Sequence, residues 1–251
     1  MYFVYAGVDS RDMGIINVNL DMGLQEEPFL PTKEIYEIST RYSNTHYFSK
    51  AKLEPLMIRL ICAFEDEINE DKLQVVKRWL GSANDFQELY FNNIPEKKFF
   101  VLYEGIVPFY HTGLSGYFDI YFRANSPFAY SDLIITDAYN EFPIKIVSKA
   151  DVIIRPEVLI KKNGDGNIAI INQSTGQIVK LKSLYDNEVI YIDNDNRIAT
   201  SNTRNNLKEV FSNQFLFFNR GNNVLTIEGN CQIKFRYREK YFPQGRVKNI
   251  D

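Results

Sequence analysis

The chain has 251 residues, of which 45% are hydrophobic and 24% charged, and a net charge of -3. That apolar content can bury a core and excludes global disorder, and the length admits one large all-β domain or two small ones. The slight acidity argues against the broad basic face that nucleic-acid binding needs, and no run approaches the ~18 apolar residues of a membrane span.

From the start of the chain, Met1-Tyr2-Phe3-Val4-Tyr5 has no basic residue ahead of its apolar stretch and soon meets Asp9, Arg11 and Asp12, so it does not read as a secretion signal. The segment 29–48 then mixes Phe29, Leu30, Ile35 and Ile38 with Tyr36, Tyr42, Tyr47 and Phe48, and prolines flank its start. Such a segment fits an extended arm or hairpin that reaches a neighbour, and equally an ordinary intramolecular hairpin. The exception to a strand-rich pattern is 69–80. Asn69 can accept a backbone N–H bond as a cap, Glu70 and Asp71 suit the positive helix start, and Gly81 suits a left-handed stop. Leu73, Val76, Trp79 and Leu80 share one helical face, which predicts a helix packed on a sheet with Trp79 as its core anchor.

Strand-like runs follow at 99–102 and 116–122, where tyrosine and phenylalanine supply bulky side chains that favour sheets. Ala124-Asn125-Ser126-Pro127 breaks the pattern, because proline removes a donor and holds Ser126 extended; the inter-domain boundary is placed there. The second half reads as strands at 152–155, 158–160, 168–171, 178–181, 189–192, 198–201 and 224–227. Asp165-Gly166 is expected to join 158–160 to 168–171 as a hairpin, Thr175-Gly176 the next pair, and 194–197 the turn after 189–192. Strands and turns at this spacing predict an antiparallel β-sandwich.

Chemistry is hard to place on this chain. His46 and His111 are its only histidines, and neither lies beside a nucleophile motif, so a structural or surface role is favoured. Cys62 and Cys231 lie far apart in apolar contexts and read as buried free thiols. Acidic pairs such as Glu65/Glu67 and Glu26/Glu27 suit solvated surfaces. Asp193-Asn194-Asp195-Asn196-Arg197 fails as an EF-hand loop, since Arg197, Ile198 and Arg204 stand where a ligand, a glycine and a bidentate acid are needed; it reads as a turn. Asn163-Gly164-Asp165-Gly166-Asn167 lacks the strand-to-helix context of a phosphate loop and reads as a hairpin tip. The basic stretch from Lys234 to Arg246 alternates with aromatics and reads as one solvated strand face. No catalytic, cofactor-binding or metal-binding residue is assigned.

Several short elements are informative through their order. They are Asp12-Met13-Gly14-Ile15, Pro28-Phe29-Leu30-Pro31, Leu56-Met57-Ile58-Arg59-Leu60 leading to Phe64-Glu65, and the helix ending Trp79-Leu80-Gly81. Ser126-Pro127 with Phe128-Ala129-Tyr130-Ser131 follows, then Gly221-Asn222-Asn223 before a strand run ending Phe235-Arg236-Tyr237-Arg238. Taken together they resemble the distal tail protein family of long-tailed bacteriophages (siphoviruses). The resemblance implies a mainly β chain, with a tail-tube-like, ring-forming β domain with one helix over 1–125 and a galectin-like antiparallel β-sandwich over 126–251. The last residues are expected to return to the first domain, since Pro243 and Gly245 interrupt the final strand. It implies a non-enzymatic virion protein, made in the host cytoplasm, that forms a hexameric hub at the distal end of the tail and joins tube to tip or baseplate for host adsorption. The implied partners are copies of the chain in a homo-hexamer, the tail tube protein, a tail-tip or tail-associated protein, and baseplate or receptor-binding proteins, with no cofactor, no direct nucleic-acid binding and no membrane insertion. The main rival is a carbohydrate-binding adhesin module. The second half has no tryptophan or histidine and lacks galectin-type signatures, though Tyr185, Tyr191 or Tyr237 could supply a stacking face. A wall-degrading hydrolase ranks third.

Overall fold

A computed structural model describes residues 1–18 and 29–243. The described residues are mainly β with one helix and fall into two compact units. One comprises Met1–Tyr130 with Tyr241 and the two residues after it; the other is Ser131–Lys240. Glu26, Glu27, Pro28, Gly245 and Arg246 lie outside the described residues.

In the first unit, one antiparallel sheet runs in the order Val8–Asp9, Phe3–Tyr5, Gln87–Phe91, Ile94–Tyr103, Gly116–Ala124, Met57–Phe64 and Ile15–Val18. Alternation selects its faces. Ile58, Leu60, Cys62 and Phe64 are buried, while the alternate residues Met57 and Arg59 are exposed and Ile61 and Ala63 half-buried, as a two-residue side-chain period requires. Gly14, at φ +60°, makes the tight turn into Ile15–Val18; a Cβ there would meet the Lys72 ammonium at 2.7 Å. The helix Glu70–Gly81 covers the buried face of this sheet. The Asn69 side chain accepts from the Lys72 amide at 2.8 Å, and Val76, Trp79 and Leu80 are buried. Trp79 stacks on Phe3 and donates its indole N–H to the Tyr5 carbonyl at 3.0 Å, so it is the helix's anchor. Burial of each such apolar side chain contributes about 1.5–3 kcal/mol. The helix end differs from the expected left-handed glycine stop: Gly81 is its last residue, and Ser82 closes it in right-handed geometry by donating to the Arg78 carbonyl.

The second unit consists of two antiparallel sheets. Five strands run in the order Ile134–Ile135, Cys231–Tyr237, Glu157–Lys162, Val189–Asp193 and Ile198–Ser201, and four in the order Ile144–Ser148, Gly221–Glu228, Gly166–Asn172 and Gln177–Leu184. Both sheets feed one core, with Ile160, Ile233 and Phe235 from the first and Ile170, Leu181 and Leu225 from the second. Phe218 packs edge-on against Phe235 between them. The turns at Thr175-Gly176 and 194–197 are local hairpins as the sequence predicts. Gly176, at φ +74°, donates to the Asn172 carbonyl, and Asp193 accepts the amides of Asp195 and Asn196.

Two expectations are corrected. Asp165-Gly166 is no hairpin tip, because Glu157–Lys162 and Gly166–Asn172 lie in different sheets and residues 163–165 carry the chain across. Glu157–Lys162 is already flanked on both edges, by Val189–Asp193 and Cys231–Tyr237, so no edge is open to the next segment. The run 152–155 forms no strand beyond a single bridge from Ile154 to Phe218, since Pro156 has no amide hydrogen to extend a ladder. Cys62 and Cys231 are buried and unbonded to each other, and burial pushes the Cys231 thiol up to about 11.

Candidate assembly surface

The segment 29–53 is where apolar sequence and structure part company. Among the described residues, Lys33–Ser39 and His46–Leu53 pair with one another and with no other strand. All seven residues of the first strand are exposed, and so are all but Leu53 of the second. Neither face of this hairpin meets a core, so Ile35, Ile38, Tyr47 and Phe48 stand in solvent, as do Phe29 and Leu30 before it. Tyr42, at the tip, is 94% exposed and Phe48 69%. Monomeric proteins rarely expose contiguous apolar patches beyond a few hundred Å². With Tyr36, the eight large apolar side chains exposed here present on the order of 1,000 Å², divided between the two faces of the hairpin.

Polar contacts stiffen the hairpin without covering it. Tyr36 donates to Glu34 at 2.6 Å, the Lys50 ammonium sits 4.6 Å over the Tyr36 ring, and His46 Nδ1 lies 3.1 Å from Glu37. The hydrogen bond to Glu34 raises the Tyr36 hydroxyl above its ordinary value, so it stays a donor. At the base, the Glu54 amide donates to the Thr32 carbonyl and the Leu56 amide to the Ser126 carbonyl. The hairpin therefore leaves the sheet beside the Met57 end of the strand Met57–Phe64.

A second feature, which sequence reading missed, lies against the helix-covered face of the same sheet. The helix and the sheet leave between them an apolar groove of about 410 Å³, lined by Phe64, Leu80, Val107, Phe109 and Ile120 among others. Its edge stays apolar: Ile106, between the lining residues Gly105 and Val107, is 87% exposed. The lining comes from a helix, four strands and a loop, so no local pattern announces it.

The residues weighed for chemistry do not assemble. His46 is on the exposed hairpin, whereas His111 stacks on Phe109 in the short strand Phe109–His111. Among the described residues no group of three His, Cys, Asp or Glu side chains could hold a metal ion. A fully buried carboxylate, Glu188, accepts from Ser201 at 2.6 Å, from the Tyr185 amide at 2.9 Å and from Arg204 at 3.1 Å. Burial pushes its carboxyl up, but these hydrogen bonds outweigh it and hold the group below its ordinary value. With its oxygens occupied, it locks a corner of the second unit. The tyrosines considered for sugar stacking are also engaged. Tyr237 is buried edge-on against Phe218, Arg204 lies 4.2 Å over the Tyr185 ring, and Tyr191 is bonded to Glu157.

The first unit is thus a helix-backed sheet bearing an exposed apolar arm, and the second a pair of sheets around one core. Residues 1–126 match the family described as "Phage tail protein N-terminal domain" and residues 128–237 its companion "Phage tail C-terminal domain", so the chain belongs to this phage tail protein family. It is a structural component of the virion tail and not an enzyme. It is 28% identical over 247 residues to the SPbeta prophage-derived uncharacterized protein YomH of Bacillus subtilis (strain 168), covering 96% of this chain and 97% of that protein. In fold it is similar to the SPP1 Dit protein, described as a paradigm of hub adsorption apparatus in Gram-positive infecting phages. That likeness has a TM-score of 0.70 over 94% of this chain and 98% of the other, at 10% identity.

Proposed function

We propose that the protein is the distal hub of a phage tail: six copies close into a ring that continues the tail tube, and the ring joins the tube to the tip or baseplate proteins that adsorb to the host. The observation that carries this reading is the hairpin, whose large apolar side chains stand exposed on both of its faces. One arm per copy meeting a different surface on the next copy is a heterologous contact, and such contacts close rings. The second unit, divided from the first near the Ser126-Pro127 break, folds as an independent domain and holds tail-tip, baseplate or receptor-binding proteins. The galectin-like character of that domain and synthesis in the host cytoplasm belong to the same reading, which needs no cofactor, nucleic acid or membrane.

Light scattering of the purified chain at micromolar concentration tests it. A particle of six chains, or of stacked sixes, is the expected result, and a strict monomer at every concentration overturns it. Tyr42→Asp with Phe48→Asp should convert the ring to monomers while leaving the β-type circular dichroism unchanged, because both residues are exposed in the single chain.

A further inference from the structure

We infer that the groove between the helix and the sheet of the first unit binds a single-chain anionic amphiphile, a long-chain carboxylate whose alkyl tail lies on the sheet and whose head meets Lys77. Its volume of about 410 Å³ falls within the ~300–1,000 Å³ of small-molecule sites. The tail end is built from aromatic rings: Phe64 lies 6.1 Å from Phe109 and 5.9 Å from Phe118, and all three line the groove. From there the lining follows the helix-facing side of the strand Gly116–Ala124 through Ile120 towards Phe122, whose cross-strand partner Tyr103 lines the other end. The four steps from Phe118 to Phe122, at roughly 3.3 Å each, make that path about 13 Å long. An alkyl chain laid along it leaves water without any polar group to desolvate.

Two polar groups specify the head. Among the described residues, Lys77 is the one charged side chain of the lining; it is exposed at the mouth and makes no hydrogen bond or ion pair with any of them. The other is Tyr5, fully buried, with its ring 4.9 Å from Phe122 and so beside the Tyr103 end. Its hydroxyl has no hydrogen-bond partner among the described residues. Burial raises that hydroxyl above its ordinary value, with a smaller contribution from Tyr103, so it stays protonated and available to donate. An ammonium and a hydroxyl that both lack an acceptor match an acceptor-only group, which an ionised carboxylate is. An extended peptide fits less well, because its backbone groups would need partners on burial. The strand Gly116–Ala124 offers none: Met57–Phe64 takes one edge, and Phe109–His111 and Ile94–Tyr103 take the other.

Calorimetric titration of the full-length chain with dodecanoate, kept below its micelle concentration, tests the site. Saturable binding of one dodecanoate per chain is the expected result, and dodecanol, with the same tail and no charge, should bind about tenfold more weakly, the effect of one charge-assisted hydrogen bond. Lys77→Gln changes only an exposed position and should bring dodecanoate down to the level of dodecanol. Gly81→Phe blocks the groove. Gly81 lines it, and a Cβ there meets nothing within 4 Å, so the variant should keep the native circular dichroism while its ring takes the place of the tail and saturable binding is lost. Absence of saturable binding by the native chain overturns the site, and so does binding that survives Gly81→Phe. Equal affinity for dodecanoate and dodecanol in the native chain overturns the anionic head. If the native chain binds no dodecanoate and Gly81→Phe abolishes assembly in light scattering, the groove seats a protein segment and the amphiphile is overturned.

Discussion

The arm Lys33–Ser39/His46–Leu53 and the hairpin Gly166–Asn172/Gln177–Leu184 are close in length and both carry isoleucines on antiparallel strands. In the second, Ile168, Ile170, Val179 and Leu181 all turn inward against the opposite sheet. In the arm, Ile35 and Ile38 fall at odd spacing with Tyr36 and Glu37 between them, and a register shift at Tyr36/Glu37 interrupts the ladder. No single face collects the apolar side chains. A hairpin that puts an inward-facing apolar side chain at every second position builds its own domain, whereas one that spreads them over both faces keeps them for another surface.

The sharpest way to break this comparison is one truncation made in both places. Ile170→Ala, at 1% exposure, should cost about 2–5 kcal/mol of stability. Ile38→Ala should leave stability within about 0.5 kcal/mol, as surface changes do, and weaken assembly instead. Chemical denaturation combined with light scattering separates the two effects, and equal losses of stability would show the arm to be part of a core.

A second test lies in the locked corner of the second unit. Arg204→Ala leaves the buried Glu188 carboxylate short of its cation and should cost about 3 kcal/mol, the lower end for a broken buried pair, since Arg204 is partly exposed. The native Glu188 is held below its ordinary value of 4.5, so the stability it contributes is present above that pH and is lost as the pH falls through its folded value. The acid limb of a stability profile should therefore be steep in the native chain and shallower in Arg204→Ala. No change in slope would place the acid sensitivity elsewhere.

The smallest effect concerns the helix over the groove. Trp79→Phe keeps the aromatic packing but leaves the Tyr5 carbonyl without its indole donor, at a cost of about 1–2 kcal/mol read by thermal denaturation. Assembly should survive, because Trp79 faces the sheet core and is no part of the arm.

Much of this architecture was legible because it is local. Asn69, the acidic first turn and the spacing of Val76, Trp79 and Leu80 specify a capped, one-sided helix within a dozen residues. Gly176 supplies the left-handed backbone of its turn, and Asp193 builds the 194–197 turn by accepting two following amides, while Arg197 takes the left-handed position. The ordered elements around Asp12-Met13-Gly14-Ile15 and Ser126-Pro127 pointed to a phage tail protein before any fold was in view. The rest was decided at long range. Whether Gly166–Asn172 pairs with Glu157–Lys162 or crosses to the other sheet depends on which edges Val189–Asp193 and Cys231–Tyr237 have already taken, and these lie tens of residues downstream. The groove likewise exists only because Phe64, Leu80 and Phe109 are brought together from separate elements. That Ile35 and Phe48 meet no core is a fact about what the sheet left uncovered; their own sequence allowed either outcome, since hydrophobicity specifies that a side chain be buried but not in which molecule.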